Sequence, residues 1–380
     1  MVYKLKITSL DSLSSIENAL QALANDKDNR LQLPKDAIKK YKGAMHDASR
    51  LQMLTSWARG VHEPVICFHA SYDVKSLFED LGAYAPGVAA LRLAKGVEVG
   101  KEFFPRRDAL RSATSKMLNT DAYNLTHIIH GRSIDLTCVS GVNVQYLKPL
   151  FSSRNKEAVR DKGGMLLTLM PLFELISRGD NYLIPQSFIE ACSVFVSELF
   201  LNTQEHATSN RFGVPYDAHV EGLIVSWDEM EERFYKNDFT GHKRLEAFWD
   251  REVVTVRGGD AIRCLQLSFF DTGPGFASRA SGLPIDEMSL AHEREILLAC
   301  LRKNTTTKRQ TGAGNGLPLV LEELKSIGGL IRIRSGRHSI FNCFEVGGSE
   351  DLYNFDDWNS SSLGEVSGAV VSILVPLRRS

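Results

Sequence analysis

Residues 311–324 read Thr-Gly-Ala-Gly-Asn-Gly-Leu-Pro-Leu-Val-Leu-Glu-Glu-Leu, a glycine-rich loop that runs into an apolar helix pattern. Gly312, Gly314 and Gly316 leave backbone amides without neighbouring Cβ atoms, so a polyanion can approach them closely. The helix start behind them adds unpaired N–H groups and the positive end of the helix dipole. The stretch therefore predicts a phosphate-binding loop, with an ordinary flexible turn as the alternative.

A long helix is predicted from Gln186 to His206 by the spacing of its apolar residues. Glu198 and Asn202 are four residues apart in it, so they share one helix face. Their sequence neighbours are largely apolar, and a carboxylate and a carboxamide in a partly buried space need partners. A bound metal ion or water would supply them. The alternative is an amphipathic helix whose polar face includes both residues.

A strand is predicted at Cys264–Phe270, and it runs into the turn Asp271-Thr272-Gly273-Pro274-Gly275. By the period of two, Asp271 falls on the same face as the apolar side chains at 265, 267 and 269. A carboxylate in line with a core face needs a donor, which an adenine amino group would provide. Gly273 and Gly275 would let a flat ligand lie against the backbone. The alternative is an aspartate that only caps the turn.

The segment 302–309 precedes the glycine-rich loop and contains four cations and three threonines. This composition indicates a lid that folds over phosphates, and a solvated loop is the alternative. Two further stretches, 228–250 and 337–367, resemble surface insertions. A helix is predicted at 36–59, and alternation over 330–334 indicates a strand buried on one face.

The overall composition indicates a soluble, cytoplasmic protein of about two domains. The chain has 380 residues, 43% of them hydrophobic, and a net charge of -1, so nucleic acid is not indicated as a partner. The six cysteines form no C-x-x-C pair, which argues against a zinc site and suits a reducing compartment. The most apolar run, 165–176, is too short to span a bilayer, so no membrane association is expected.

Two domains are predicted, with the charged, glycine-ended stretch 151–164 as their junction. Residues 1–150 indicate a small α/β domain with a mixed sheet, whose role we expect to be sensing or partner binding. Residues 165–380 contain all three motifs. The fold class is therefore expected to be α+β.

Three motifs now stand in a fixed order: Glu-x-x-x-Asn on a helix, Asp-x-Gly-x-Gly after a strand, and Gly-x-Gly-x-Gly opening a helix. Together with Gly368 and the closing strand that ends at Pro376, they resemble the GHKL ATPase superfamily. That superfamily includes heat-shock chaperone ATPases and sensor histidine kinases. The resemblance covers 164–380 and implies a two-layer α/β sandwich, the Bergerat ATP-binding fold, with a mixed sheet and helices on one face.

The resemblance also implies roles by position. Glu198 would polarise the attacking water and Asn202 would coordinate Mg²⁺. Asp271 would hold the adenine amino group. The remaining implied contacts to ATP come from the adenine-side turn, the lid and the phosphate loop, at Gly273, Gly275, Thr306, Thr307, Lys308, Gly312, Gly314 and Gly316.

The function that follows from the resemblance is a Mg²⁺-dependent, ATP-hydrolysing conformational switch that acts on a protein partner or client. ATP-dependent pairing of two protomers is a further expectation. Two alternatives stay open, a protein kinase of the sensor-histidine or anti-sigma serine type and a nucleotide sensor that does not hydrolyse ATP. A sensor kinase would carry a histidine on the helices upstream of Glu198, and 165–202 has none.

Overall fold

The computed structural model describes residues 5–7, 10–25, 28–34, 37–39, 42–180, 183–302, 316–359 and 362–378. This part of the chain contains helices and strands in two separate sheets, which agrees with the expected α+β class. None of its helices combines the length and the apolar character that crossing a bilayer requires. All six cysteines lie in these segments, and none of them forms a disulfide bond.

The amino-terminal sheet has five strands in sequence order, the small mixed sheet that the sequence predicts. Its first four strands are parallel and the fifth is antiparallel to the fourth. The strands are β1 (Leu5–Lys6), β2 (Arg30–Gln32), β3 (Val65–Phe68), β4 (Gly96–Val99) and β5 (Glu102–Pro105). The helices that connect or follow them are α1 (Leu13–Asn25), α2 (Ala44–Gly60), α3 (Val74–Ala83), α4 (Ala85–Leu93), α5 (Arg106–Leu110) and α6 (Thr114–Asp121).

The larger sheet has eight strands in the order β12-β11-β10-β13-β9-β7-β6, with β8 beside β9. All of its described pairings are antiparallel, so the expectation of a mixed sheet in this half does not hold. The strands are β6 (Ser133–Val139), β7 (Val220–Glu231), β8 (Val254–Val256), β9 (Gly259–Asp271), β10 (Gly329–Gly336), β11 (His338–Phe344), β12 (Asp356–Asp357) and β13 (Val366–Pro376).

Three long helices cover one face of the larger sheet and form the main apolar core with it. They are α7 (Lys162–Ser177), α8 (Gln186–His206) and α13 (Gly316–Ile327). Phe200 on α8 packs edge-on against Phe269 of β9, with ring centroids 5.2 Å apart. This sheet-and-helix sandwich places α8 and the end of β9 side by side.

The opposite face of the larger sheet is covered by α1 and α2 from the amino-terminal half. Because of this cover β10 is buried on both faces, and the expectation of a half-buried strand was wrong. Arg332 and Arg334 point away from the apolar core, and each is only 1% exposed. Glu17 of α1 accepts hydrogen bonds from both guanidinium groups, at 2.9 and 3.0 Å from Arg334 and 3.3 Å from Arg332.

The predicted domain boundary at residue 150 lies within the packing of the larger sheet. Strand β6, which precedes the boundary, pairs with β7 along its full length. Phe151, at the start of the predicted junction, is fully buried in the core of this sheet.

The two predicted insertions are integrated into the fold. The first contains α9 (Glu232–Phe239) and α10 (Lys243–Glu252), whose aromatic side chains Phe239, Phe248 and Trp249 are buried against the larger sheet. The second contains β11, which forms a hairpin with β10. The remaining helices, α11 (Phe276–Ser281) and α12 (Leu290–Leu301), follow the Asp271 turn.

Candidate functional site

One face of α8 carries both of the polar residues that the sequence singled out. Glu198 and Asn202 are both half-buried. Four residues of helix separate them by about 6 Å along the axis. Asn202 lines a cleft between α8, the end of β9 and α11, whereas Glu198 lies toward the start of α13. The helix therefore joins the cleft to the start of the helix that follows the glycine-rich loop.

Glu198 is held at the first residue of α13. The backbone N–H of Gly316 donates to Oε2 of Glu198, with 2.9 Å between the two atoms. Gly316 lies so close to α8 that a Cβ atom there would come within 2.6 Å of Cα of Phe195. Only glycine permits this approach, so the carboxylate of Glu198 and the beginning of α13 stay together.

Asp271 lies at the end of β9 and lines the same cleft as Asn202. Its carboxylate accepts a hydrogen bond from the backbone N–H of Gly273, with 2.8 Å between N and Oδ1. The other residues that line the cleft belong to α8 and its carboxy-terminal end, β9, the Asp271 turn, α11 and β13. They are Leu199, Thr203, Ala207, Phe269, Pro274, Gly275, Phe276, Arg279 and Ala369. Two of the residues predicted to bind one ligand, 69 positions apart in sequence, thus share one concave site.

The surroundings of Asp271 disfavour its charged form. Burial raises the pKa of Asp271 to about 6, although the Gly273 amide and the guanidinium groups of Arg279 and Arg59 act in the opposite direction. A carboxylate near the end of a core-facing strand retains hydrogen-bonding capacity for a donor from a ligand. The same burial lowers the pKa of Arg279 to about 10.

The beginning of β13 fixes the shape of the Asp271 turn. The N–H of Gly368 donates to the backbone oxygen of Gly273 at 2.7 Å. Gly368 has a φ of +74°, and a Cβ atom there would overlap the backbone oxygen of Asp271. Position 368 therefore requires glycine on two counts, conformation and space.

Two side chains in the cleft form no hydrogen bond with any described residue, Asn202 and Arg279. Asn202 offers a carboxamide oxygen, a ligand type that suits Mg²⁺. The described residues contain no group of three or more His, Cys, Asp or Glu side chains that could bind a metal ion. Mg²⁺ is usually held by one or two side chains together with water and substrate phosphates, so the donor set fits that mode of binding.

The cleft is small. It encloses about 20 Å³, which is room for about one water molecule. A planar ligand of the size of a nucleotide base would enter only if the side chains at its mouth moved. Phe276 and Arg279 of the short helix α11 are half-buried and line the cleft.

Five of the residues predicted to bind the ligand, Thr306, Thr307, Lys308, Gly312 and Gly314, lie outside the described residues. Gly316, the last glycine of the loop, is described and contacts Glu198. Gly273 donates to Asp271, and Gly275 lines the cleft with a φ of +82°. The structure thus brings together Asn202, Asp271, Gly273 and Gly275 at one end of α8's polar face, and Glu198 and Gly316 at the other.

The sequence patterns did not indicate two charged residues of this region, Arg279 and Glu221. Arg279 lies in a six-residue helix whose position depends on the preceding turn, and no spacing pattern marks it. Glu221 lies opposite Asp271 on β7, 1% exposed, and accepts a hydrogen bond from Gln204. Burial raises the pKa of Glu221 to about 8. A polar residue at the start of an apolar strand was the only available signal.

A second, larger cavity of about 240 Å³ lies between α12 and the strands β11 and β12. Its two arginines are engaged within the protein. Arg294 donates to both carboxylate oxygens of Asp357, and Arg337 donates to Glu293. None of the residues that the sequence singled out lines this cavity.

In comparisons with protein-family models, curated proteins and solved structures, the chain matched none.

Proposed function

We propose that this protein binds ATP with Mg²⁺ in the cleft between α8 and the end of β9, and hydrolyses it as a conformational switch. The observation that carries the proposal is the placement of Asn202 and Asp271 in one cleft. The contact between Glu198 and the start of α13 supports it from the other end of the same helix face. On this proposal the sheet with α7, α8 and α13 serves as an ATP-binding sandwich of Bergerat type.

The base would bind at the Asp271 end of the cleft. The carboxylate of Asp271 accepts a hydrogen bond, and the exocyclic amino group of adenine donates one. Because the pKa of Asp271 is about 6, the group is mostly ionised at neutral pH and able to accept. Arg279 lines the same space and adds donors for ring nitrogens.

The phosphates would extend along α8 from Asn202 toward Glu198 and Gly316. The start of α13 provides backbone N–H groups and the positive end of a helix dipole, which favour phosphate. The carboxamide of Asn202 would hold Mg²⁺, and the ion supplies charge neutralisation to the phosphates. We assign further phosphate contacts to Gly312, Gly314 and the Thr306-Thr307-Lys308 segment, which lie outside the described residues.

Glu198 is the residue we assign to orienting and polarising the attacking water. Phosphoryl transfer depends mainly on positioning and on neutralising charge, so the base must be fixed near the terminal phosphate. The hydrogen bond from Gly316 holds the Glu198 carboxylate beside the helix start where phosphates would bind.

The experiment that tests this function uses γ-labelled ATP with the full chain and Mg²⁺. We expect label to appear as free phosphate, and Glu198→Ala to slow its release by about 10²- to 10⁴-fold. ATP affinity of the variant should stay within about threefold of wild type, because a hydrolytic base adds little to ground-state binding. Glu190→Ala is the matched control, since Glu190 is exposed on the same helix and its carboxylate accepts a hydrogen bond from Gln186, a contact outside the proposed site.

Other outcomes separate the alternatives. Label transferred to protein would support a kinase, and ATP binding without turnover would support a nucleotide sensor. Unchanged phosphate release in Glu198→Ala would reject the role assigned to Glu198. The partner on which the switch acts, and ATP-dependent pairing of two protomers, belong to the same proposal and would be sought with the ATP-trapped Glu198→Ala protein.

A further inference from the structure

The carboxy-terminal end of α2, an amino-terminal helix, contacts the turn that carries Asp271. Nη2 of Arg59 donates to the backbone oxygen of Thr272 at 3.1 Å and to that of Ala218 at 2.7 Å. The guanidinium group also lies 3.8 Å from the ring centre of Tyr216. One half-buried arginine therefore joins the residue after Asp271 to the loop before β7.

Two more side chains of α2 reach the strands that frame the same turn. Nε2 of Gln52 donates to the backbone oxygens of Arg334, at 3.1 Å, and Gly368, at 3.5 Å. Oγ of Ser56 accepts from the backbone N–H of Ser367 at 3.0 Å. Gly368 in turn contacts Asp271 and Gly273, so these bonds bear on the backbone that shapes the cleft.

The other end of α2 is attached to the same sheet. The N–H groups of Ala44 and Met45 donate to Oγ of Ser226 and Oε1 of Gln266, at 2.8 and 3.0 Å. A helix of 17 residues is about 25 Å long. Helix α2 is thus almost entirely buried and is attached to the larger sheet at both ends.

Charged groups around Asp271 come from three sides. Arg59 approaches from α2, Arg279 from α11, and the buried acid Glu221 from β7. Arg59 is the one of these three that the amino-terminal half contributes. It lies on the face of the sheet opposite α8, so a ligand in the cleft would not need to touch it.

We propose that Arg59 is a positioning residue through which α2 holds the Asp271 turn in its ligand-binding shape, so that the amino-terminal half and the cleft are energetically coupled. This inference rests on the proposed ATP-binding function and adds a path of regulation to it. Anything that displaced α2 would release the Thr272 and Gly368 contacts and weaken binding. Coupling is reciprocal, so nucleotide in the cleft would also stabilise the last turn of α2.

The test is a calorimetric ATP titration in Mg²⁺ of the full-length wild type, Arg59→Met and Arg59→Lys. Methionine keeps much of the aliphatic stem and removes the charge and donors. We expect binding about 10- to 100-fold weaker, the range for lost hydrogen bonds from a charged group. Lysine keeps the charge and a donor, so it should restore part of the affinity.

The matched control is Arg92→Met. Arg92 also comes from the amino-terminal half and donates to backbone oxygens of the neighbouring loops, those of Ser140 and Asp217, both at 2.7 Å. It makes no contact with the Asp271 turn, so ATP affinity should stay at the wild-type value. The double variant Arg59→Met with Asp271→Asn should bind no more weakly than Asp271→Asn alone, because Arg59 acts through Asp271.

Hydrogen exchange on the wild-type chain adds a readout that needs no variant. ATP should increase protection of the amides at 57–60 relative to those of α3. Equal affinity in Arg59→Met and Arg92→Met, additive losses in the double variant, or unchanged protection would each overturn the coupling while leaving ATP binding intact. Absence of ATP binding by wild type would overturn the proposed function as well.

Discussion

Asp271 and Glu221 face each other across β9 and β7, and both are acids that burial disfavours in their charged form. Oε2 of Glu221 and Oε1 of Gln204 have no hydrogen-bond partner among the described residues. A protonated Glu221 carries an O–H donor, and its pKa of about 8 favours this form at neutral pH. Of the two acids, Asp271, with a pKa of about 6, is therefore the one that ionises first as pH rises.

Replacing Glu221 with glutamine should change how stability depends on pH. In wild type the folded-state pKa of Glu221, about 8, exceeds the ordinary value of 4.5. The folded chain therefore binds the proton of the Glu221 carboxyl more tightly than the unfolded chain does. The stability that this tighter binding contributes is complete below pH 4.5 and is lost as pH rises through about 8. In E221Q the amide supplies a permanent donor, and the loss disappears.

The measurement is urea unfolding of both proteins at pH 5 and pH 8. As pH rises from 5 to 8, we expect the unfolding free energy of E221Q to increase relative to that of wild type by roughly 2 to 4 kcal/mol. The control is Glu229→Gln, at a half-buried position on the same strand. Its unfolding free energy, relative to wild type, should differ by less than about 1 kcal/mol between the two pH values. A wild-type-like pH dependence in E221Q would mean that Glu221 is ionised in the folded state.

Among single residues, the sequence could predict only those whose position follows from the spacing within one helix or one strand. Helical spacing placed Glu198 and Asn202 on one face, and the strand period placed Asp271 in line with core residues. Arg279 and Arg59 could not be predicted in the same way. Their positions depend on a six-residue helix after a tight turn and on a helix from the other half of the chain.

At the scale of elements, the start of β13 and the end of β9 form one structural unit around the cleft. Gly368 has a positive φ and no side chain, so the backbones of β13 and β9 can touch beside Asp271, where a Cβ atom would not fit. The hydrogen bond between Gly368 and Gly273 then sets the direction of the turn. The resemblance to ATPases pointed to Gly368 without giving this reason for it.

Gly368→Ala should therefore damage both stability and ligand binding. The added methyl group meets backbone atoms that cannot rotate away, so we expect a loss of roughly 2 to 4 kcal/mol in unfolding free energy. ATP affinity should fall at least about tenfold, because the turn that carries Asp271 must move. Chemical denaturation and an ATP titration are the measurements.

Gly347→Ala separates the steric effect from the conformational one. Gly347 also has a positive φ, +64°, but a Cβ atom there would meet nothing within 4 Å. The unfolding free energy of this control should fall by about 1 kcal/mol, the cost of a left-handed backbone at a residue other than glycine. Its ATP affinity should equal that of wild type. Equal behaviour of the two variants would show that contact with Asp271 is unimportant.

Predictions of whole elements succeeded where periodicity was strong. The bounds of α8 match the predicted range Gln186–His206. The predicted helix 36–59 instead begins at Ala44, because Gly43 has a φ of +93° and fits closely against Asp228 and Gln266. Those partners are more than 180 positions away, so sequence patterns could not reveal the interruption.

In the whole molecule, the two halves share a buried interface that combines apolar packing with a buried ionic group. Burial raises the pKa of Glu17, but Arg334 and Arg332 outweigh it, and the pKa lies below its usual value. Removing one member of a buried ionic group leaves a charge without compensation. The carboxy-terminal half therefore depends on α1 to neutralise the two arginines of β10.

This interface explains why the division into domains was hard to predict. Charge and glycine content placed the junction at 151–164, yet β6 lies before it and belongs to the larger sheet. The class and the small mixed sheet could be predicted from apolar patterns. The all-antiparallel order of the larger sheet and its cover by α1 and α2 depend on long-range packing, which local patterns do not encode.

The nucleotide site is tested most directly by a calorimetric titration of the full-length protein with ATP in the presence of Mg²⁺, repeated on Asp271→Asn. The control is Asp357→Asn, in the second cavity. We expect saturable binding by wild type and Asp357→Asn, and affinity reduced at least about tenfold in Asp271→Asn. No binding by wild type, or full affinity in Asp271→Asn, would contradict a nucleotide site between α8 and β9.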